Sequence, residues 1–256
     1  YPLFEGIDVV FHLAAKNCIP DCQIDPLSTM DINVLGTINI FEACKISGVK
    51  KVIFAESSAV YEGSCVFPTP VTEESPESFY AISKYSVKYI SEAYIKNYNM
   101  QITALRYFNV YGPRQDYRRT VPPLMSGIII SLLKGERPKI YGDGTKRRDF
   151  IYIDDVNGFH DMIMFDERAN GKVFNLGSGV NYSVMEIYEA VESILNTGLK
   201  PIYEPDLLGE AFQNLADISE TESFGWKPQV SLEEGLRLSI DYIRKNVLNT
   251  MELISS

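Results

Sequence analysis

The first 108 residues alternate between short β-branched apolar runs and long helical stretches, and that alternation leaves few folds open. A run at 7–13, I-D-V-V-F-H-L, empties into the small pair Ala14-Ala15. It reads as a buried parallel strand, and small residues after it let a ligand approach the backbone. Pro26 stands at the first position of a helical stretch over 26–45, which Ser47-Gly48 stops. A second strand, at 51–55, ends in the hydroxyl-rich S-S-A-V-Y of 57–61. A loop with Pro68, Pro70 and Pro76 leads to a helix that carries Tyr80 and Lys84 and runs to about Asn99. A third strand is expected over 102–108, followed by a polar turn, N-V-Y-G-P-R, at 109–114. Strand, helix, strand, helix, strand with such connections predicts right-handed parallel crossovers and a doubly wound, Rossmann-type α/β sheet. Open sheets of this kind hold ligands beyond the carboxyl ends of their strands, so Ser57, Tyr80 and Asn109 are expected at one sheet edge.

After Arg114 the rhythm changes. A helix is expected over 121–134, a short strand over 139–141, a strand over 150–153, a helix starting at Asp154-Asp155, a strand over 173–175, and helices over 183–196 and 232–245. The reading divides the chain at 1–115, a partial dinucleotide-binding domain, and 116–256, a smaller α/β substrate-binding lobe with some segments returning to the sheet. No repeat or low-complexity linker separates the two, so they are expected to share a cleft.

The spacing of Tyr80 and Lys84 points to chemistry. Four residues apart on a helix, phenol and ammonium share one face. A neighbouring ammonium favours the ionised phenol, whose ordinary pKa of about 10 leaves little phenolate at neutral pH. The same spacing is common on ordinary amphipathic helices, so the pair gains meaning only from the rest of the chain.

Composition removes several alternatives. The chain is 45% hydrophobic and 23% charged over 256 residues, as in globular domains, and a net charge of −10 opposes nucleic-acid or anionic-membrane surfaces. Cysteines at 18, 22, 44 and 65 form no C-x-x-C pair, and two histidines give a zinc site little to be built from, so the thiols read as reduced and no metal is expected. With no run of 18 or more apolar residues and no signal peptide, the chain reads as cytoplasmic.

The motifs H-L-A-A (12–15), N-V-L-G-T (33–37), S-S-A-V-Y (57–61), Y-A-I-S-K (80–84), R-Y-F-N-V-Y-G-P-R (106–114), G-D-G-T-K-R-R-D-F-I-Y-I-D-D-V (142–156), N-L-G-S-G (175–179), L-A-D-I-S (215–219) and W-K-P-Q-V-S-L-E-E-G-L (226–236) occur in that order. In this the chain resembles the extended short-chain dehydrogenase/reductase family, and within it the NAD-dependent nucleotide-sugar epimerases. The resemblance implies that Tyr80 takes the proton of the sugar 4-hydroxyl as hydride leaves C4 for NAD, that Lys84 holds the nicotinamide ribose and tunes the phenol, and that Ser57 bonds the same sugar oxygen, with Ser58 beside it on the substrate. Leu13, Ala14, Ala15, Asn33 and Tyr107 would lie on the cofactor, although aromatics at 107, 108 and 111 also suit packing. Asn109 and Arg148 would hold the nucleotide diphosphate, and the strand with Lys139 and Tyr141 would line the uridine ring. Relatives pair as homodimers through two long helices, here those at 26–47 and 77–98. Dehydratases carry Asp-Glu where this chain has Ser58-Ala59, which favours 4-epimerisation over elimination. A glucuronate epimerase, a 4-keto-sugar reductase and a non-catalytic nucleotide-sugar binder are the alternatives on the same scaffold.

Several positions depart from the family pattern. The glycine-rich turn that cradles the cofactor pyrophosphate is absent, and the pattern would place it within roughly sixty residues ahead of this start. As written, the chain is expected to bind NAD poorly. Leu207 stands where an arginine for the diphosphate is usual, and Cys22 where a serine is common. Asn214 replaces a bulky tyrosine of some members, leaving room for an N-acetyl group. His12 reads as a core histidine and Asp154-Asp155 as a helix cap.

Overall fold

Parallel pairing organises the first half of the chain in the computed structural model, which describes residues 2–118, 121–206 and 211–248. In order, the elements are β1 (Val9–His12), α1 (Ile19–Ile24), α2 (Pro26–Met30), a π-helical turn (Asp31–Leu35), α3 (Gly36–Ser47), β2 (Lys51–Ser57), α4 (Phe79–Tyr98), β3 (Ile102–Tyr107), β4 (Asn109–Tyr111), α5 (Leu124–Leu133), β5 (Lys139–Tyr141), β6 (Arg147–Tyr152), α6 (Ile153–Ile163), β7 (Val173–Leu176), β8 (Asn181–Ser183), α7 (Val184–Leu195), β9 (Ile202–Glu204), α8 (Ser219–Ser223) and α9 (Leu232–Ile243). Two units result. One comprises Tyr1–Phe108, Asn157–Leu176 and Ala216–Trp226; the other comprises Asn109–Val156, Gly177–Leu215 and Lys227–Ser256.

The first unit is a four-stranded parallel sheet in the order β1-β2-β3-β7. Its central strands are buried on both faces, which is why K-V-I-F-A and I-T-A-L run without polar alternation. Val52, Phe54, Ile102 and Ala104 pack with Phe41 of α3 and Val87 and Tyr94 of α4. Phe159, Phe174, Phe224 and Trp226 form a second aromatic cluster, with ring centroids 4.9 to 6.5 Å apart. Each such ring contributes roughly 1.5–3 kcal/mol on burial. Gly48, at φ 70°, ends α3 in the left-handed region that glycine tolerates.

The second unit holds a three-stranded sheet, β4-β6-β8, and the parallel pair β5-β9. Met125, Ile128, Ile129 and Leu132 of α5, Ile187 and Val191 of α7, and Leu236 and Ile240 of α9 make one core with Tyr111, Ile140, Phe150 and Tyr152. Gly235 lets α9 approach Tyr111, since a Cβ there would stand 2.2 Å from the phenol oxygen.

Three expectations change. Residues 109–111, read as part of a polar turn, are a strand, because β4 pairs in parallel with β6, with Asn109 opposite Phe150. The stretch expected as one helix over 26–45 contains the π-helical turn at Asp31–Leu35 and is preceded by α1. Asp155 lies in the first turn of α6, but its carboxylate accepts from the Gln229 and Val230 amides at 2.8 and 3.1 Å, tying down the loop before α9.

Candidate active site

Helix α4 positions the Tyr80 and Lys84 pair, and its start is fixed by side chains. Ser78 Oγ accepts from the Ala81 amide at 3.1 Å, while Glu62 accepts from the Ser78 amide and hydroxyl at 2.8 and 2.9 Å and from the Glu77 amide at 3.3 Å. Tyr80 is half-buried two residues inside this cap, and Lys84 follows one helical turn later, 6% exposed. The Lys84 ammonium donates to the Ala55 carbonyl of β2 at 2.9 Å, its one hydrogen bond among the described residues. Burial lowers its pKa to about 8, against the raising influence of Glu56. At neutral pH it is therefore a desolvated cation with two N–H groups left for a ligand.

The neighbouring strand ends complete the first unit's set. Ser57, the last residue of β2, accepts from the Ala59 amide at 3.2 Å, so its O–H proton remains for another acceptor. Tyr107 lies opposite Ser57 in register and its hydroxyl is bonded to His160 Nε2 at 2.7 Å. Burial raises the phenol of Tyr107 and lowers His160, so both are neutral. Leu13 and Ala14 are exposed beyond the carboxyl end of β1, with Ala15 half-buried after them. Asn33 is buried: it donates to the Lys16 carbonyl and Ser83 Oγ, both at 2.9 Å, and accepts from the Lys16 amide at 2.8 Å. It therefore locks the loop after β1 to α4 at the level of Tyr80 and Lys84. His12 bonds Thr37 Oγ1 at 2.8 Å, and burial with the nearby Lys84 ammonium lowers its pKa to about 4.

Sequence reasoning missed the charges beneath this set. Glu56 and Arg106, opposite each other on β2 and β3, have fully buried side chains and form an ion pair. Arg106 also binds Glu74, the Tyr61 hydroxyl at 2.7 Å and the Val71 carbonyl at 2.7 Å. The Tyr61 hydroxyl donates to Asn175 Oδ1 at 2.7 Å, and Asn175 Nδ2 holds the Thr69 and Asp217 carbonyls. The available signal was an acid in K-V-I-F-A-E-S and a base in I-T-A-L-R-Y, charges inside otherwise apolar strands.

In the second unit Asn109, Arg148 and Asn214 come together, and their polar groups are engaged with the backbone. Asn109 Nδ2 donates to the Asp149 carbonyl at 2.7 Å and to Asn214 Oδ1 at 3.3 Å, and Asn214 Oδ1 also accepts from the Asp149 amide at 2.8 Å. Asn214 is thus a strut between β4 and β6, a role its identity did not reveal. Arg148 Nη1 donates to the Arg147 and Phe212 carbonyls at 2.9 and 3.2 Å, which fixes the direction of its fork. Arg147 binds Asn181 and Glu186. Lys139 lies on β5 within 3.2 Å of Glu204, and Tyr141 is half-buried on the same strand. Asp149 is fully buried and binds the G-S-G turn through the Ser178 and Gly179 amides, at 2.7 and 3.1 Å. Leu207 lies outside the described residues. Among the described residues no cluster of three or more His, Cys, Asp or Glu could hold a metal, and no helix is long and apolar enough to cross a membrane.

A family model described as "NAD dependent epimerase/dehydratase family" matches residues 2–177. A putative UDP-glucose 4-epimerase of Methanocaldococcus jannaschii is 34% identical over 248 residues, covering 95% of this chain and 79% of the relative. The crystal structure of UDP-glucose 4-epimerase with UDP-glucose from Thermotoga maritima superposes with a TM-score of 0.90 at 35% identity, over 94% of this chain and 78% of that one. A UDP-N-acetylglucosamine 4-epimerase from Methanobrevibacter ruminantium, in complex with UDP-N-acetylmuramic acid, gives 0.91 at 32%, over 96% and 79%.

Proposed function

We propose that this chain, which belongs to the NAD-dependent epimerase/dehydratase family, interconverts a UDP-hexose with its C4 epimer, either the UDP-glucose and UDP-galactose pair or the N-acetylated pair. The observation that carries the reading is the desolvated Lys84 ammonium one turn from Tyr80, held on the carbonyl of Ala55 in the strand that ends two residues later in Ser57, whose hydroxyl proton is left to donate.

NAD is the cofactor, and when bound it supplies the acceptor and later the donor of a hydride at the sugar C4. The residues present fit its ribose end, since the two remaining N–H groups of Lys84 suit a ribose diol and the exposed Leu13-Ala14 backbone lies at a strand end of an open sheet. The glycine-rich turn that would take its pyrophosphate is not among these 256 residues. Tyr80 acts as base on the 4-hydroxyl, Lys84 stabilises the phenolate, and Ser57 donates to the same sugar oxygen, with Ser58 next to it. Asn33 and Tyr107 support the cofactor side through the contacts they make. The 4-keto sugar turns over, and Tyr80 returns the proton on the way back. Asn109 and Arg148, with Lys139 and Tyr141, form the nucleotide-binding set, and Asn214 leaves room on the sugar side for an N-acetyl group; the fork of Arg148 suits a diphosphate. The working unit is a homodimer paired through α2, α3 and α4.

The test is the product ratio, by chromatography, after incubating the full-length protein without added cofactor with UDP-glucose and, separately, UDP-N-acetylglucosamine. Conversion of either to its C4 epimer, lost in Tyr80→Phe, is the expected result. No conversion of either by protein that carries bound NAD would overturn the reading.

A further inference from the structure

The apolar rows of β2 and β3 that face α4 end in opposite charges. Val52 and Phe54, with Ile102 and Ala104, pack against Val87 and Tyr94 of α4. Strand alternation puts Glu56 and Arg106 on that same face. One oxygen of Glu56 is held by Arg106 Nε; the other, Oε1, is buried with no hydrogen-bond partner among the described residues. A buried ion pair is weak evidence of stability, because apolar replacements often serve as well, and an unsatisfied carboxylate oxygen makes this pair costlier still. Such a pair asks for a use other than stability.

The use lies one residue away. Glu56 follows Ala55, whose carbonyl receives the Lys84 ammonium at 2.9 Å. The titratable groups that face Lys84 from the packed elements are His12 of β1, Cys22 of α1 and Glu56 of β2. His12 is held neutral and burial raises the Cys22 thiol, so Glu56 brings the negative charge. Burial pushes the Glu56 carboxyl up, and the Arg106 guanidinium, which does not deprotonate, opposes that by direct contact in the ion pair. We propose that Glu56 is a positioning residue for proton transfer: its buried carboxylate, anchored by Arg106, is the fixed counter-charge that holds Lys84 as an ammonium against the Ala55 carbonyl. The proposal rests on the reading of Tyr80 and Lys84 as the acid–base pair. It makes Glu56 act through Lys84, without touching substrate.

The experiment is a direct titration of Lys84 by NMR in full-length, NAD-loaded protein labelled with 13C at the lysine ε-carbon, assigned by loss of the signal in Lys84→Met. Glu56→Gln is expected to move the Lys84 midpoint to lower pH by about one unit or more, and the alkaline limb of kcat with it. Glu56→Asp, which keeps the charge, is expected to move both back toward the parent. Glu74→Gln breaks the same network at Arg106 without facing Lys84 and is expected to leave the midpoint in place. A midpoint unmoved in Glu56→Gln, or moved equally in Glu74→Gln, overturns the proposal. If circular dichroism shows Glu56→Gln unfolded, Glu56→Gln/Arg106→Met removes the pair together; the midpoint again falls if Glu56 acts as proposed and stays if the pair is purely structural. The titration needs no substrate, so failure of the epimerase reading would appear in turnover alone.

Discussion

At the scale of single residues, burial and function pull the charge of Lys84 in opposite directions. Burial lowers its pKa to about 8, so the ammonium is present at neutral pH and lost as pH rises through that value. If the cation supports the Tyr80 phenolate, kcat for epimerisation falls with a midpoint near pH 8, and Lys84→Met lowers kcat by about a hundredfold or more and removes that limb. A parent profile flat to pH 10 would show that the ammonium is not required. His12 gives a matching prediction for stability. Its native pKa is about 4 against an ordinary 6.5, so between those values the unfolded chain binds a proton that the native chain does not. Stability from His12 is therefore complete above pH 6.5 and is withdrawn as pH falls toward 4. In urea unfolding, His12→Gln is expected to lose less stability than the parent between pH 7 and pH 5.

At the scale of elements, α4 is where local sequence and distant contact meet. Its extent was legible, because a helical period follows from neighbours in the chain, while its Ser78 cap was not read from the sequence. Ser78→Ala is expected to cost about 1 kcal/mol in chemical denaturation, the usual effect of losing an N-cap. Glu62, 16 residues before Ser78, holds the same helix end and was not legible, since no local pattern assigns a loop acid to a distant amide. Strand β4 escaped for the same reason: three residues become a strand only through a partner about forty positions later. The strands β2, β3 and β5 were readable from apolar runs, while the π-helical turn depends on which carbonyl an amide selects, a choice that composition does not encode. At the candidate site, residue types and spacing singled out Tyr80, Lys84 and Ser57. The pairing of Glu56 with Arg106 and the strut made by Asn214 needed the register of strands to become visible.

At the scale of the whole molecule, the helices that frame the candidate site also leave apolar side chains in water. On α4, Phe79, Ile82 and Tyr89 are exposed at helical spacing, Tyr89 by 55%, while Ala81, Lys84 and Val87 point inward. Ile32, Leu35 and Ile46 repeat the pattern along the π-helical turn and α3, Leu35 by 50%. Two amphipathic helices with bare outer stripes suit antiparallel packing against a second copy, where a two-fold axis repeats every contact. A stable interface of this kind buries at least about 1,000 Å², which requires both stripes together. Sedimentation equilibrium is therefore expected to give a dimer for the full-length protein. Ile82→Glu, which places two charges in that interface per dimer, is expected to give a monomer with the parent's circular dichroism. A parent that sediments as a monomer, or an Ile82→Glu variant that stays dimeric, would move the partner contact off these helices and leave the stripes without that use. Because α4 carries Tyr80 and Lys84 as well as Ile82, the monomer should also lose turnover, through a less firmly held helix rather than a lost chemical group. Recovery of that turnover at high protein concentration would separate the two causes, since mass action can restore an interface but cannot restore a missing base.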